Sequence, residues 1–173
     1  MNYSPSTRAR IADLINGMRV DTGVLAAATY IEQTQHELFN VVGRVKIHNL
    51  FAEVTVVFSN NAALVKFNYT SATPAIGVAD LCGVSLTVAQ LAVGERIFWV
   101  GGAVATAAVL TATPGISDIL ATAQIVGGVT TAGVNYVGTI GILSTTASLT
   151  TGSFRASIFY SPMSDGAYVE AAV

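Results

Sequence analysis

The stretch Gly152-Ser153-Phe154-Arg155-Ala156-Ser157-Ile158-Phe159-Tyr160 decides the fold class of this chain. Its apolar residues Phe154, Ala156, Ile158 and Tyr160 recur at every second position, and Pro162 follows them. Because alternate residues of a β-strand point to opposite sides of the sheet, this pattern predicts a strand with one apolar face.

The same alternation recurs upstream. In residues 43–48, Val45 and Ile47 alternate with polar side chains, which predicts a half-buried strand. Residues 53–59 and 62–70 flank Asn60-Asn61, a pair that tolerates positive φ and therefore predicts a hairpin turn. Further strands are predicted at about 84–91, 95–100, 103–112, 118–126 and 133–143. Many short strands without repeating helices predict a mainly β chain, folded as an antiparallel sandwich or barrel.

One helix is predicted, over residues 6–19. Its apolar residues Ile11, Leu14, Ile15 and Met18 recur at i, i+3, i+4 and i+7 and form one stripe. Such a stripe has to dock, either on the chain's own sheet or on a neighbour. We therefore expect an N-terminal helical arm over residues 1–22 and a single β-sandwich domain over 23–173, which ends in a tail at 166–173.

The composition indicates an assembly. Only 10% of the residues are charged and 52% are hydrophobic, with a mean hydropathy of +0.60. From Ile97 to Phe154 the sole charged residue is Asp118. A soluble monomer uses surface charge to stay dispersed and to protect its sheet edges, so this chain is expected to bury surface against other copies or a partner.

Several classes of partner and cofactor are not expected. The eight Lys and Arg residues form no basic stripe, which argues against nucleic acid. The apolar run 97–112 is shorter than the roughly 20 residues of a spanning helix and contains Gly101-Gly102, which argues against a membrane span. Cys82 is the only cysteine, so no intrachain disulfide is possible and an inert buried thiol is expected.

We find no catalytic, cofactor or metal site in the sequence. His36 and His48 are the only histidines, and their spacing to Glu32, Glu37 or Glu53 matches no metal-ligand signature. The glycine pairs lack the context of a phosphate or dinucleotide loop, and no serine lies in a nucleophile elbow. The chain is therefore not expected to be an enzyme. Trp99, the one tryptophan, is expected to lie in the core or an interface rather than on a sugar-binding platform.

A resemblance to a known class of protein is carried by residues 43–47, 53–57, 78–82 and 138–142, and by 152–162 followed by 165–169. In these segments, which span most of residues 40–170, the chain resembles head decoration, or cement, proteins of tailed bacteriophages. The resemblance implies a trimeric β-sandwich or jelly roll, made in the host cytoplasm, that sits on the capsid exterior and clamps the major capsid protein at capsomer junctions. It implies no catalytic residues and no cofactor. The helix at 6–19 has no counterpart in it.

Composition and resemblance agree on a structural virion protein that binds copies of itself and the major capsid protein. The candidate capsid-contact arm is the stripe of Ile11, Leu14, Ile15 and Met18. Two alternatives remain open. One is a tail, baseplate or short-fibre component. The other is a host-surface adhesin that uses Trp99, Tyr136 or Tyr168.

Overall fold

The computed structural model describes residues 17–26, 30–58, 62–73, 75–85, 87–99, 109–111 and 124–172, and all the regular structure in these ranges is β-strand. The strands are β1 (Met18–Asp21), β2 (Leu25–Ala26), β3 (Gln35–Val42), β4 (Val45–Val56), β5 (Val65–Thr73), β6 (Ala75–Asp80), β7 (Arg96–Phe98), β8 (Val109–Thr111), β9 (Gln124–Val126), β10 (Val137–Ser144), β11 (Ser153–Pro162) and β12 (Tyr168–Ala171). The prediction of a mainly β chain is confirmed.

The strands form two sheets. Sheet A has the order β1-β11-β4-β7-β8, with β2 also paired to β11 and β9 also paired to β4. Sheet B has the order β12-β3-β10-β5-β6. Every pair of strands is antiparallel. The apolar faces of the two sheets share one core, so the predicted antiparallel sandwich is confirmed.

The pairing order is that of a jelly roll. The earlier strands β1, β3, β4 and β5 pair in turn with the later strands β11, β10, β7 and β6. The later strands therefore pair in the reverse of their sequence order, which is the arrangement of a long antiparallel ribbon wrapped around a core. Successive ribbon pairs alternate between the two sheets, which is the double Greek-key arrangement of jelly rolls.

The core follows from the alternation seen in the sequence. Phe154, Ala156, Ile158 and Tyr160 of β11 are at most 1% exposed and point inward. Across the sandwich they meet the inward residues of sheet B, among them Phe39, Phe67 and Ile140. Trp99 follows β7 and is fully buried in the same core, where its indole N–H donates to the carbonyl of Leu81 at 2.8 Å.

The chain crosses between the sheets at a corner that requires glycine. Gly43 joins β3 of sheet B to β4 of sheet A and has a φ of 76°. A Cβ atom there would lie 2.7 Å from the Ser164 hydroxyl and 2.8 Å from the Ala167 methyl. Residue 43 therefore has to be glycine both for its backbone conformation and for the close packing of the loop before β12.

The predicted hairpin at Asn60-Asn61 is wrong. Strand β4 belongs to sheet A and β5 to sheet B, so the connection between them crosses from one sheet to the other. The pair itself lies outside the described residues. The separate strands predicted at 43–48 and 53–59 are instead one 12-residue strand, β4. The described residues of 84–91 form no strand beyond an isolated bridge from Thr87 to Leu64.

The predicted helix extends too far. Residues 1–16, with Ile11, Leu14 and Ile15, lie outside the described residues. Gly17 has a φ of 80°, and residues 18–21 then pair with β11 as strand β1. A glycine with positive φ ends a helix, so the stripe cannot continue through it to Met18. Residues 18–21 of the predicted arm therefore belong to the sandwich. At the other end of the chain, the predicted tail forms edge strand β12, paired with β3.

Candidate interaction faces

The outer surface of sheet A, termed face A, collects charged residues that are far apart in the sequence. They sit on β1, β11, β4 and β7, at positions that alternate with core residues. Four of the described residues on this face are basic and two are acidic, which gives them a net charge of +2: Arg19, Lys46, Arg96 and Arg155, with Asp21 and Glu53.

An aromatic group lies in the middle of face A. The rings of Phe51 and Phe98 are 5.4 Å apart, and those of Phe51 and Phe159 are 6.5 Å apart and stacked. The guanidinium of Arg96 lies 4.8 Å from the Phe51 ring, and that of Arg19 lies 5.5 Å from the Phe159 ring. Phe98 is fully buried and Phe51 is 6% exposed. Of the three rings, only Phe159 therefore remains partly open to solvent.

Ion pairs hold several of these side chains in place. Glu53 accepts from Arg96 at 2.7 Å and lies 3.5 Å from Arg155. Asp21 accepts from Arg19 at 2.9 Å and from the Ser157 hydroxyl at 2.5 Å. Burial acts to raise the pKa of Asp21, but these hydrogen bonds and the charge of Arg19 outweigh it, so the pKa is lowered.

The outer surface of sheet B, termed face B, is arranged in rows across the strands. One row consists of Tyr168, Val42 and Val137, and Tyr168 and Val137 are each 44% exposed. The next row is polar and contains Glu170, Asn40, Thr139 and Thr70. The row beyond it is also polar and contains Glu37, Asn68 and Asp80. The described residues of face B include three acids, Glu37, Asp80 and Glu170, and one base, Lys66, which gives them a net charge of −2.

Gln35 braces the centre of face B. Its amide oxygen accepts from the Thr70 hydroxyl at 2.5 Å, and its amide nitrogen donates to the Thr139 hydroxyl at 3.3 Å. On the way it passes over Gly141, where an added Cβ would lie 2.7 Å from the Gln35 Cγ. Glycine at 141 therefore makes room for a side chain that links three strands.

Asn68 is enclosed on face B without a hydrogen-bond partner. It is 1% exposed, and its side-chain amide bonds to none of the described residues. Lys66 and Asp80 form an ion pair of 2.7 Å beside it. An amide buried in this way costs about 1–3 kcal/mol, so Asn68 does not contribute to the stability of the sheet through hydrogen bonding.

A cavity of about 410 Å³ lies at the rim of the sandwich, where β2 of sheet A approaches β3 of sheet B. Its walls are formed by Val24, Leu25, Ala26, Tyr30, Gln35, His36 and Glu37. The rings of Tyr30 and His36 are 4.3 Å apart, and the backbone N–H of Ile31 donates to His36 Nε2 at 2.9 Å. Burial raises the pKa of Tyr30 to about 12, so its hydroxyl stays protonated at neutral pH. The cavity is therefore an amphipathic recess, and Glu37 is the one acidic residue among the described residues of its walls.

His48 and Ser161 form a cross-strand pair that the sequence did not indicate. The Nε2 atom of His48 lies 2.8 Å from the Ser161 hydroxyl. Burial, followed by the charge of Lys46, lowers the pKa of His48. A serine nucleophile also needs an acid that orients the histidine, and donors for an oxyanion. No carboxylate in the described part of the chain hydrogen-bonds to His48, so the pair has the geometry of an ordinary polar contact between β4 and β11.

The structure also places the cysteine, the metal-ligand residue types and the aromatic residues that were considered in the sequence. Cys82 is fully buried, and burial raises the pKa of its thiol to about 11. Within the described ranges, no three His, Cys, Asp or Glu side chains lie close enough together to hold a metal ion. Of the aromatic residues considered for a host-binding surface, Trp99 is in the core, Tyr136 is half-buried against Gly128, and Tyr168 is exposed on face B.

The two faces themselves were missed at the sequence level. Most of their charges belong to strands that are far apart in the sequence, such as β1 and β11, so local patterns do not bring these charges together. The signal that was present is the parity of each residue within its strand. In β11, Arg155 and Phe159 occupy the positions between the apolar ones and therefore lie on the outer surface.

No family model, curated protein or solved structure matches this chain. In the part of the chain that the structure describes, there is no helix with the length and apolar character needed to cross a membrane.

Proposed function

We propose that this chain is a structural subunit that binds copies of itself and decorates a larger particle, as a head decoration protein does on a bacteriophage capsid. The composition of its surface carries the proposal. Thirteen large apolar side chains of the described residues are exposed, by 37% to 66%. The described residues include only fourteen charged side chains, six basic and eight acidic. A surface with about as many exposed large apolar groups as charges is suited to burial against a partner.

The fold supports this proposal without deciding it. Jelly rolls are common in viral capsid domains and also in lectins, and a fold alone does not assign a function. The resemblance of residues 40–170 to cement proteins favours the capsid over the lectin alternative. The burial of Trp99 also removes the ring best suited to stack on a sugar.

The mechanism of such a protein is mechanical. A subunit that binds the assembled shell, and not its dissociated parts, stabilises the shell by the free energy of binding. The stabilisation is about 2.7 kcal/mol per site when the free subunit is at 100 times its Kd. The contacts that matter are therefore those that exist only in the assembled particle.

The test compares particles with and without the protein. Particles that carry it should resist disruption by heat or low salt, and this resistance should return when purified protein is added back. Equal disruption temperatures would remove the cement role. In that case, the location of the labelled protein by electron microscopy would distinguish a tail or baseplate component from one that is not part of the virion.

The role of the N-terminal segment is tested by a deletion. Because Met18–Asp21 is strand β1, the deletion has to stop at residue 16 to leave the sandwich intact. We expect the variant that lacks residues 1–16, with Ile11, Leu14 and Ile15, to keep its oligomer mass and to lose particle binding. Normal decoration by this variant would show that the segment has another role, and a loss of oligomer mass would place it in the subunit interface.

A further inference from the structure

The two outer faces of the sandwich are oppositely charged. The described residues of face A have a net charge of +2 and those of face B a net charge of −2, and the two faces lie on opposite sides of the core. Together they hold ten of the fourteen charged side chains of the described residues. Most of the charges of the described residues therefore lie on these two surfaces, where they act on an approaching partner.

The charges left without a full partner also differ in sign between the faces. On face A, Arg19 is paired with Asp21, and Arg96 is paired with Glu53. Arg155 shares Glu53 at 3.5 Å, and Lys46 has no ion pair among the described residues. On face B the ion pair joins Lys66 and Asp80. This leaves Glu37 and Glu170 exposed without a described cationic partner.

Each face also offers apolar surface beside these charges. On face A, Ile125 is 53% exposed and is paired in register with Lys46, and the ring of Phe159 is partly open. On face B, the row of Tyr168, Val42 and Val137 adjoins the row that contains Glu170. Apolar contacts supply the affinity of an interface, and complementary charges select the partner and its orientation.

We infer that face A of one copy binds face B of a second copy. This inference rests on the proposed function, because it names the surfaces through which the subunit self-associates. Contacts between two copies of face A, or two copies of face B, would bring like charges together and are disfavoured. The contact is heterologous, so it closes a ring such as a trimer if each step turns the chain by the required angle, and otherwise extends as a stack.

The experiment uses charge reversal on one face at a time. Lys46→Glu with Arg155→Glu gives face A uncompensated acids, and Glu37→Lys with Glu170→Lys gives face B uncompensated bases. The controls are Arg44→Glu and Asp165→Lys, which are single charge reversals of the same two kinds at exposed loop residues outside both faces, and each single reversal of the test variants is compared with them. Mass and association constant are measured by sedimentation in low salt.

Each double variant should associate more weakly than the unmodified chain by about tenfold or more, and each control should associate like the unmodified chain. An equimolar mixture of the two double variants retains one intact face A and one intact face B. The two reversed faces are also of opposite charge, so the mixture should associate more strongly than either variant alone, first as a 1:1 pair. This pair would also show that both variants are folded. Added salt should weaken association of the unmodified chain.

Two outcomes separate failure of the inference from failure of the proposed function. If the unmodified chain self-associates while the double variants behave like their controls, or their mixture gives no pair, this choice of surfaces is wrong and assembly through other surfaces stands. If the unmodified chain is a monomer at every concentration and salt tested, both self-association and the faces assigned to it are refuted.

Discussion

Substitution of Phe154 by alanine should cause a large loss of stability, whereas the same substitution at Phe159 should cause a small one. The two residues lie on one strand, β11, but on opposite sides of sheet A. Phe154 is fully buried, and its ring lies 5.0 Å from that of Tyr30 and 6.2 Å from that of Phe58. Removal of a buried phenylalanine ring costs about 3–5 kcal/mol, which is a large part of the 5–15 kcal/mol typical of a domain.

Phe159 provides the matched control. Its ring is partly exposed and contacts Phe51 and the Arg19 guanidinium, which is 5.5 Å away. Loss of an exposed cation–π contact costs about 0.5–1 kcal/mol, and loss of the partial burial costs a similar amount. Urea unfolding at equal protein concentration, followed by the fluorescence of Trp99, measures both variants. Equal losses for the two substitutions would refute the assignment of Phe154 to the core and Phe159 to the outer face.

Three further predictions concern titratable groups. The Cys82 thiol should react slowly with a labelling reagent at pH 8 in the folded protein and rapidly in urea, and fast labelling of the folded protein would contradict its burial. The folded protein should lose stability as pH rises from about 9 to about 11. Burial raises the pKa of Cys82 from 9.0 to about 11, so the unfolded chain gives up this proton first. Replacement of Cys82 by alanine should remove this part of the dependence of the unfolding free energy on pH. Stability should also fall as pH drops below 6.5. Burial and the charge of Lys46 lower the pKa of His48, so the imidazole of the unfolded chain binds a proton first. The same loss of stability at acid pH in His48→Gln would refute this assignment.

Alternation along single strands was enough to predict the sandwich and much of its core. The alternating apolar residues of β11, namely Phe154, Ala156, Ile158 and Tyr160, are buried, and so are Val65 and Phe67 of β5. Strand β3 was not predicted, and a β-bulge explains why. Phe39 pairs with Ile140 and Glu37 with Gly141, so Leu38 is an extra residue, and both Leu38 and Phe39 are fully buried. Two consecutive inward residues break the period of two on which the prediction depends.

Partner choice could not be predicted in the same way. Asn60-Asn61 between two apolar strands has the composition of a hairpin, yet β4 and β5 lie in different sheets. Local alternation fixes which side chains share a face of a strand, but the neighbour of that strand depends on contacts with distant parts of the chain. Faces A and B depend on the same long-range pairing, which is why their charges appeared scattered in the sequence.

The position of β11 between β1 and β4 has a consequence for the synthesis of this protein. Strand β4 is made early and β11 late, yet they are direct neighbours in the middle of sheet A. At 5–20 residues per second, the roughly one hundred residues between Val56 and Ser153 take about 5–20 s to translate. During that time, the nascent chain carries Ile47, Leu50 and Val54 of β4 without the neighbour that later lies beside them. Sheet A is therefore completed only after β11 has left the ribosome, and the growing chain has to be kept from pairing with other copies until then.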